Sequence, residues 1–185
     1  MQLAIIGHHG VINDTPEDNS SNSGDWRPIR GSLEAIARLH RAGWRIIVVS
    51  NKPELADGSL APDSLVRQHA SLRRHVADSG GAIEAICYCP HAPDSGCNCH
   101  LPATGLLQDI AARLHIKLDD VPVIGDSLTH IQAAQAIGAR PILVKTGQGM
   151  TTDSQPDLDP AVPVFSDLYS AVDSLLRQNH LTADH

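Results

Sequence analysis

The sequence predicts an α/β protein built on a doubly wound parallel sheet, and three observations carry that expectation. Short runs of Ile, Val, Leu and Ala alternate with segments whose apolar residues recur at helical spacing. Glycine or a turn cluster punctuates most of the boundaries between them. The 185 residues include only two Trp, two Tyr and one Phe, so the core must be aliphatic, as in parallel strands covered by helices on both faces. A chain of this length buries a sizeable core without disulfides, and residues 1–185 are expected to form a single domain.

Residues 3–6 form a short apolar run that stops at Gly7, which fits a buried first strand opening into a polar loop that runs to Gly24. Ser32 is the expected N-cap of a helix carrying Ala35, Ile36 and Leu39, and Gly43 ends it before a second strand over 45–50. Residues 62–78 are expected to be helical and closed by Gly80 and Gly81, with a third strand over 82–88. A helix over 104–115, a strand over 121–124, a helix over 129–137 closed by Gly138, and a strand over 141–144 follow. Beyond a Gly- and Asp-rich stretch over 147–160, an edge strand over 162–165 and a helix over 167–177 close the chain, leaving a loose tail over about 178–185. Right-handed crossovers assemble such units into one sheet, whose ligands bind beyond the C-terminal strand ends. The loops after Ile6, Val49 and Ile124 are therefore where chemistry is expected.

The formal net charge of −7 is spread along the chain, and Lys52, Lys117 and Lys145 lie far apart, which argues against a nucleic-acid partner. The N-terminal apolar run is too short for a signal peptide and no segment has the apolar length of a membrane span, so a cytoplasmic location is expected. The chain is taken as a monomer, with a protein partner left open.

All four cysteines, Cys87, Cys89, Cys97 and Cys99, fall in one window with His91. Disulfides usually join distant segments in an oxidising compartment, so a metal loop over 87–101 is the better reading. Three thiolates and an imidazole at Cys89, His91, Cys97 and Cys99 suit a closed tetrahedral zinc site, which stiffens a loop and leaves no position for water. Spacing alone also allows a four-thiolate set with Cys87 in place of His91, but Cys87 is as well explained as a small core residue, and is expected to be a spectator.

With these residues in place, the chain resembles the D-glycero-D-manno-heptose 1,7-bisphosphate phosphatases and related histidinol phosphatases of the haloacid dehalogenase (HAD) superfamily. The likeness runs from Leu3 to about Gly149 through the cysteine window, the turn Gly125-Asp126-Ser127-Leu128 with Gln132-Ala133-Ala134, and Leu143-Val144-Lys145-Thr146-Gly147. It implies a capless HAD-like sheet with an inserted zinc loop, and zinc ligands at Cys89, His91, Cys97 and Cys99. Family members carry D-x-D-G-T/V-I-N after the first strand. The first Asp attacks phosphorus, the second protonates the leaving oxygen, and Mg²⁺ neutralises the phosphoryl oxygens.

Here that stretch is Gly7-His8-His9-Gly10-Val11-Ile12-Asn13. Gly7 has neither nucleophile nor metal ligand, while His8 and His9 retain the capacity to move a proton. Ser50, Asn51 and Lys52 are the candidate phosphate-binding residues, although Q-S-G-x-x-R-G has become residues 52–58 and its Arg is now Asp57. The family's C-R-K-P is Cys99-His100-Leu101-Pro102, which puts Leu101 where a Lys would steady the phosphoryl group. Asp126 remains as a candidate ligand for Mg²⁺ or another divalent metal, with His130 in place of the later Asp of G-D-x-x-x-D. One reading has these side chains as ordinary loop residues. Another has His9, Asp126 and His130 lining one pocket around a softer cation.

Three functions follow from this pattern. The first is a non-catalytic or strongly impaired homologue that keeps a sugar-phosphate pocket, in which the Mg²⁺ role is doubtful. The second is an active phosphatase working through histidine or an atypical metal. The third is a structural domain that uses the zinc loop as a contact surface.

Overall fold

The computed structural model describes residues 2–14 and 27–183. Most of the polar loop expected up to Gly24 lies outside the described residues, as do the last two of the expected tail. The strands are β1 (Leu3–Gly7), β2 (Arg45–Asn51), β3 (Ala85–Cys89), β4 (Pro122–Gly125), β5 (Arg140–Val144) and β6 (Val164–Phe165). The helices are α1 (Ser32–Arg41), α2 (Pro62–Asp78), α3 (Gly105–Leu114), α4 (Leu128–Ala136), α5 (Gly149–Asp153) and α6 (Leu168–Ala183). The strands form one parallel sheet in the order β3-β2-β1-β4-β5-β6, so the connection reverses direction between β1 and β4.

Alternation along the strands divides the core between two layers. Ala4, Ile6, Ile46 and Val48 pack with Ile36 and Leu39 of α1, Leu72 and Val76 of α2, and Val172 of α6. Leu3, Ile5, Ile47 and Val49 pack on the other face with Leu107 and Ile110 of α3 and Ala133 of α4. Side chains two apart share a face of a strand, so this division fixes which way each residue at a strand's C-terminal end points. Among the described residues no helix is long and apolar enough to cross a membrane.

Several boundaries differ from expectation. Ser32 does not cap α1, because Gly31 holds that position with φ 81° and the Ser32 hydroxyl instead donates to Ile12 C=O at 2.6 Å, tying α1 to the loop after β1. The third strand begins at Ala85, not residue 82, and runs through Cys89, because its pairing with β2 carries Asn51 opposite Cys89. The stretch after β5 contains the short helix α5, where Thr152 Oγ1 donates to Asp126 C=O at 2.8 Å. Instead of a loose tail after residue 177, α6 continues through Ala183.

Candidate functional site

The four expected ligands of the cysteine window converge. Cys89 Sγ lies 3.5 Å from His91 Nδ1, 3.7 Å from Cys97 Sγ and 3.1 Å from Cys99 Sγ, and His91 Nδ1 is 3.2 Å from Cys99 Sγ. All four ligand atoms lie within 4.8 Å of one another, so the cluster could hold a metal ion. Cys87 is outside it and packs against the second core layer. The loop is pinned to the sheet by Asn51, whose Nδ2 donates to Leu101 C=O (3.1 Å) and whose Oδ1 accepts from Leu101 N–H (3.0 Å). Both ends of that amide are thus engaged by the Leu101 backbone, with the second Nδ2 hydrogen remaining as a donor. Leu101 itself is buried in the second core layer.

At the end of β1, the position without a side chain is filled from the first turn of α4. A Cβ built on Gly7 would stand 3.1 Å from His130 Nε2 and 3.1 Å from Val11 Cγ2, closer than ordinary van der Waals contact. His130 Nδ1 is hydrogen-bonded to Ser127 Oγ at 2.7 Å and lies 4.0 Å from Asp126 Oδ1, while Nε2 has no hydrogen-bond partner among the described residues. Burial lowers its pKa, against the opposing pull of Asp126. Asp126 is clamped as well. Its Oδ2 accepts from Gln148 N–H at 3.0 Å, and a Cβ on Gly10 (φ 79°) or Gly147 (φ 56°) would fall 2.0 or 2.3 Å from that oxygen. Only glycine leaves room for the carboxylate at those two positions.

The other histidines gather on the β2 side. His9 is held by Asn13 at Nδ1 (3.3 Å) and by Lys52 Nζ at Nε2. Burial, then Lys52, lowers its pKa to about 3, and burial lowers Lys52 to about 8. His8 is 1% exposed, stacks 4.2 Å from His9, has both ring nitrogens without a hydrogen-bond partner among the described residues, and is held well below the ordinary imidazole range chiefly by burial. His69 of α2 stands 6.0 Å from the His8 ring and 5.5 Å from the Tyr88 ring, with a pKa lowered to about 4 by burial first. His69 is a residue that sequence reasoning does not single out. No local signal marks it, because only the docking of α2 over β2 and β3 brings it here. His9, Asp126 and His130 do not form one ligand set: the cysteine cluster is the only metal-capable group found among the described residues.

Comparison with known proteins fits this architecture. A family model described as HAD-hydrolase-like matches residues 99–171. The D-glycero-β-D-manno-heptose-1,7-bisphosphate 7-phosphatase of Pseudomonas aeruginosa is 39% identical over 175 residues, covering 95% of this chain and 98% of that protein. Its Pseudomonas putida counterpart is 41% identical over 180 residues, 95% and 100% of the two chains. The chain belongs to the heptose-bisphosphatase family of HAD-like hydrolases. The crystal structure of the Bordetella bronchiseptica D,D-heptose 1,7-bisphosphate phosphatase with magnesium and phosphate superposes with a TM-score of 0.91 at 40% identity, covering 96% of this chain and 99% of that one.

Within this heptose-bisphosphatase frame, the donors at the β1 and β4 ends do not fit magnesium. Mg²⁺ takes oxygen ligands in near-ideal octahedra. Asp126 supplies one carboxylate, already accepting from Gln148 N–H and closely flanked by Gly10 and Gly147, and the titratable side chain beside it is the imidazole of His130.

Proposed function

We propose that this heptose-bisphosphatase homologue no longer hydrolyses phosphate through an aspartyl intermediate and retains a pocket for a phosphorylated sugar. One observation carries the reading: position 7 offers no nucleophile, and the His130 imidazole packs into the space a side chain there would occupy. The named activity of its relatives supplies the ligand class. The three thiols and the imidazole at Cys89, His91, Cys97 and Cys99 suit zinc in a closed structural site, and a thiolate cluster of this kind suits the reducing cytoplasm. When bound, zinc would stiffen the loop that Asn51 pins beside the sheet. The test is phosphate release from D,D-heptose 1,7-bisphosphate and generic phosphate esters, with and without Mg²⁺ and Mn²⁺. Turnover is expected to fall about 10³-fold or more below that of the active relatives, and comparable turnover would overturn the reading.

A histidine-based hydrolase is the second reading, and the imidazole that favours it is His130. His8 is enclosed and His9 Nε2 is taken by Lys52. His130 instead turns an unpartnered Nε2 towards Gly7, with Ser127 and Asp126 on its other side. Any turnover that His130→Ala abolishes would establish this second reading.

A further inference from the structure

Three of the four cysteines lie close enough to react with one another, and the backbone does not hold them alike. Cys89 Sγ is 3.1 Å from Cys99 Sγ and 3.7 Å from Cys97 Sγ. Cys89 ends β3, is paired with Asn51 in the sheet, and its C=O accepts from Lys52 N–H at 2.8 Å. Cys99 lies between two pinned positions. Asn98 C=O accepts from Gly105 N–H at 2.7 Å, and Leu101 is held at both backbone groups by the Asn51 side chain. Asn51 therefore helps to place both sulfurs, one through strand pairing and the other through its amide.

Cys97 is held differently. Its N–H donates to Ser95 Oγ at 3.4 Å, so that bond belongs to the loop itself and not to the sheet. Cys87 lies outside the cluster and packs against the second core layer. A disulfide forms when two sulfurs can approach without moving the backbone, and fixed backbones remove the entropy of closing the loop between them. The pair that the fold brings together is thus Cys89 with Cys99.

We propose that Cys89 and Cys99 are a site of reversible oxidation, which a peroxide converts to a disulfide with release of the metal, while Cys87 and Cys97 keep their thiols. The release of metal rests on the zinc reading above, and the choice of partners rests on the sheet. Cys89 is buried and Cys99 half-buried, so Cys99 meets the oxidant. Its thiolate attacks one peroxide oxygen, the O–O bond breaks, and a sulfenic acid forms as hydroxide leaves. The Cys89 thiolate then attacks the sulfenic sulfur, the S–S bond forms, the S–O bond breaks, and a second hydroxide leaves. The two thiolates have given up two electrons, and the peroxide has been reduced to two hydroxides. His91 and Cys97 alone remain as ligands, two short of a closed tetrahedral site. A dithiol reductant returns both electrons and restores the four-ligand set.

The test titrates the full chain, its zinc content measured beforehand, with hydrogen peroxide. Zinc release is followed with a chromogenic chelator, the remaining thiols are alkylated, and the cross-link is mapped by mass spectrometry without reduction. Zinc release is expected to rise in step with a Cys89–Cys99 cross-link, with Cys87 and Cys97 still fully alkylated and the cross-link reversed by a dithiol. Cys99→Ser should lose the cross-link and Cys97→Ser should retain it. Removing a ligand also weakens metal binding, so these variants are compared on the cross-link and not on zinc release. Asn51→Ala keeps all four thiols and should move part of the cross-link to Cys97, which decides the matter should a cysteine variant fail to fold. A dominant cross-link to Cys97 or Cys87, linkage between two copies of the chain, oxidation that yields only sulfinic acid, or unaltered pairing in Asn51→Ala would each overturn the proposal. Protein that carries no zinc and still forms Cys89–Cys99 would sink only the zinc reading, and zinc-loaded protein that resists peroxide would sink only this pair.

Discussion

Gly7 at the end of β1 and His130 in the first turn of α4 share one small volume, since a Cβ on the first would lie 3.1 Å from the tip of the second. Overpacking a closed site commonly costs about 1–3 kcal/mol. Gly7→Asp alone is therefore expected to lower stability by about that much, and adding His130→Ala to recover most of it, as read from urea denaturation midpoints at constant slope. Equal losses in the single and double variants would show that the two positions do not compete. The absence of a nucleophile at position 7 was legible in the sequence, but the filling of its space was not, because contact volume between distant residues leaves no local pattern. The metal-capable set was legible for the opposite reason: its four side chains lie in one short window where spacing and residue type speak together. Ser32 misled because a serine before an apolar period signals a cap, whereas here its hydroxyl serves the neighbouring loop.

At the scale of elements, the end of β2 holds the far side of the cysteine loop through the Asn51 side-chain amide. Both Asn51 hydrogen bonds go to the Leu101 backbone, and removing them strands a buried N–H and C=O. Asn51→Ala should destabilise the protein by about 1–3 kcal/mol. In zinc-loaded protein it should also accelerate zinc release to a chromogenic chelator while the far-ultraviolet spectrum is unchanged. Release at the parental rate would mean that the loop holds its shape without the staple. Strand and helix identities were legible here because each run announces its period, but the boundaries followed pairing. Cys89 became the last residue of β3 because β2 extends to Asn51 beside it, a matter of register that no single segment contains.

The whole molecule carries a pH dependence written by its buried histidines. His9 stays neutral in the folded protein down to about pH 3, whereas the same side chain in the unfolded chain takes up a proton near 6.5, and His8 is displaced in the same direction. The unfolded state thus binds more protons between these values, so this contribution is complete above about pH 6.5 and is lost as the pH falls through the window. The denaturation midpoint is expected to drop between pH 6.5 and 4, with a shallower drop in His9→Asn; parallel profiles would refute the assignment. The sheet order followed from alternating elements and right-handed crossovers, which is why the fold was legible as a whole, while the meeting of His8, His9, His69 and Lys52 depended on how α2 docks. The packing of His130 against Gly7 has a last consequence, one of coupling. An aspartate at position 7 while the imidazole stays is disfavoured by crowding, and His130→Ala alone leaves an empty slot. Each single substitution begins with a loss of stability, so the two positions tolerate change together better than apart.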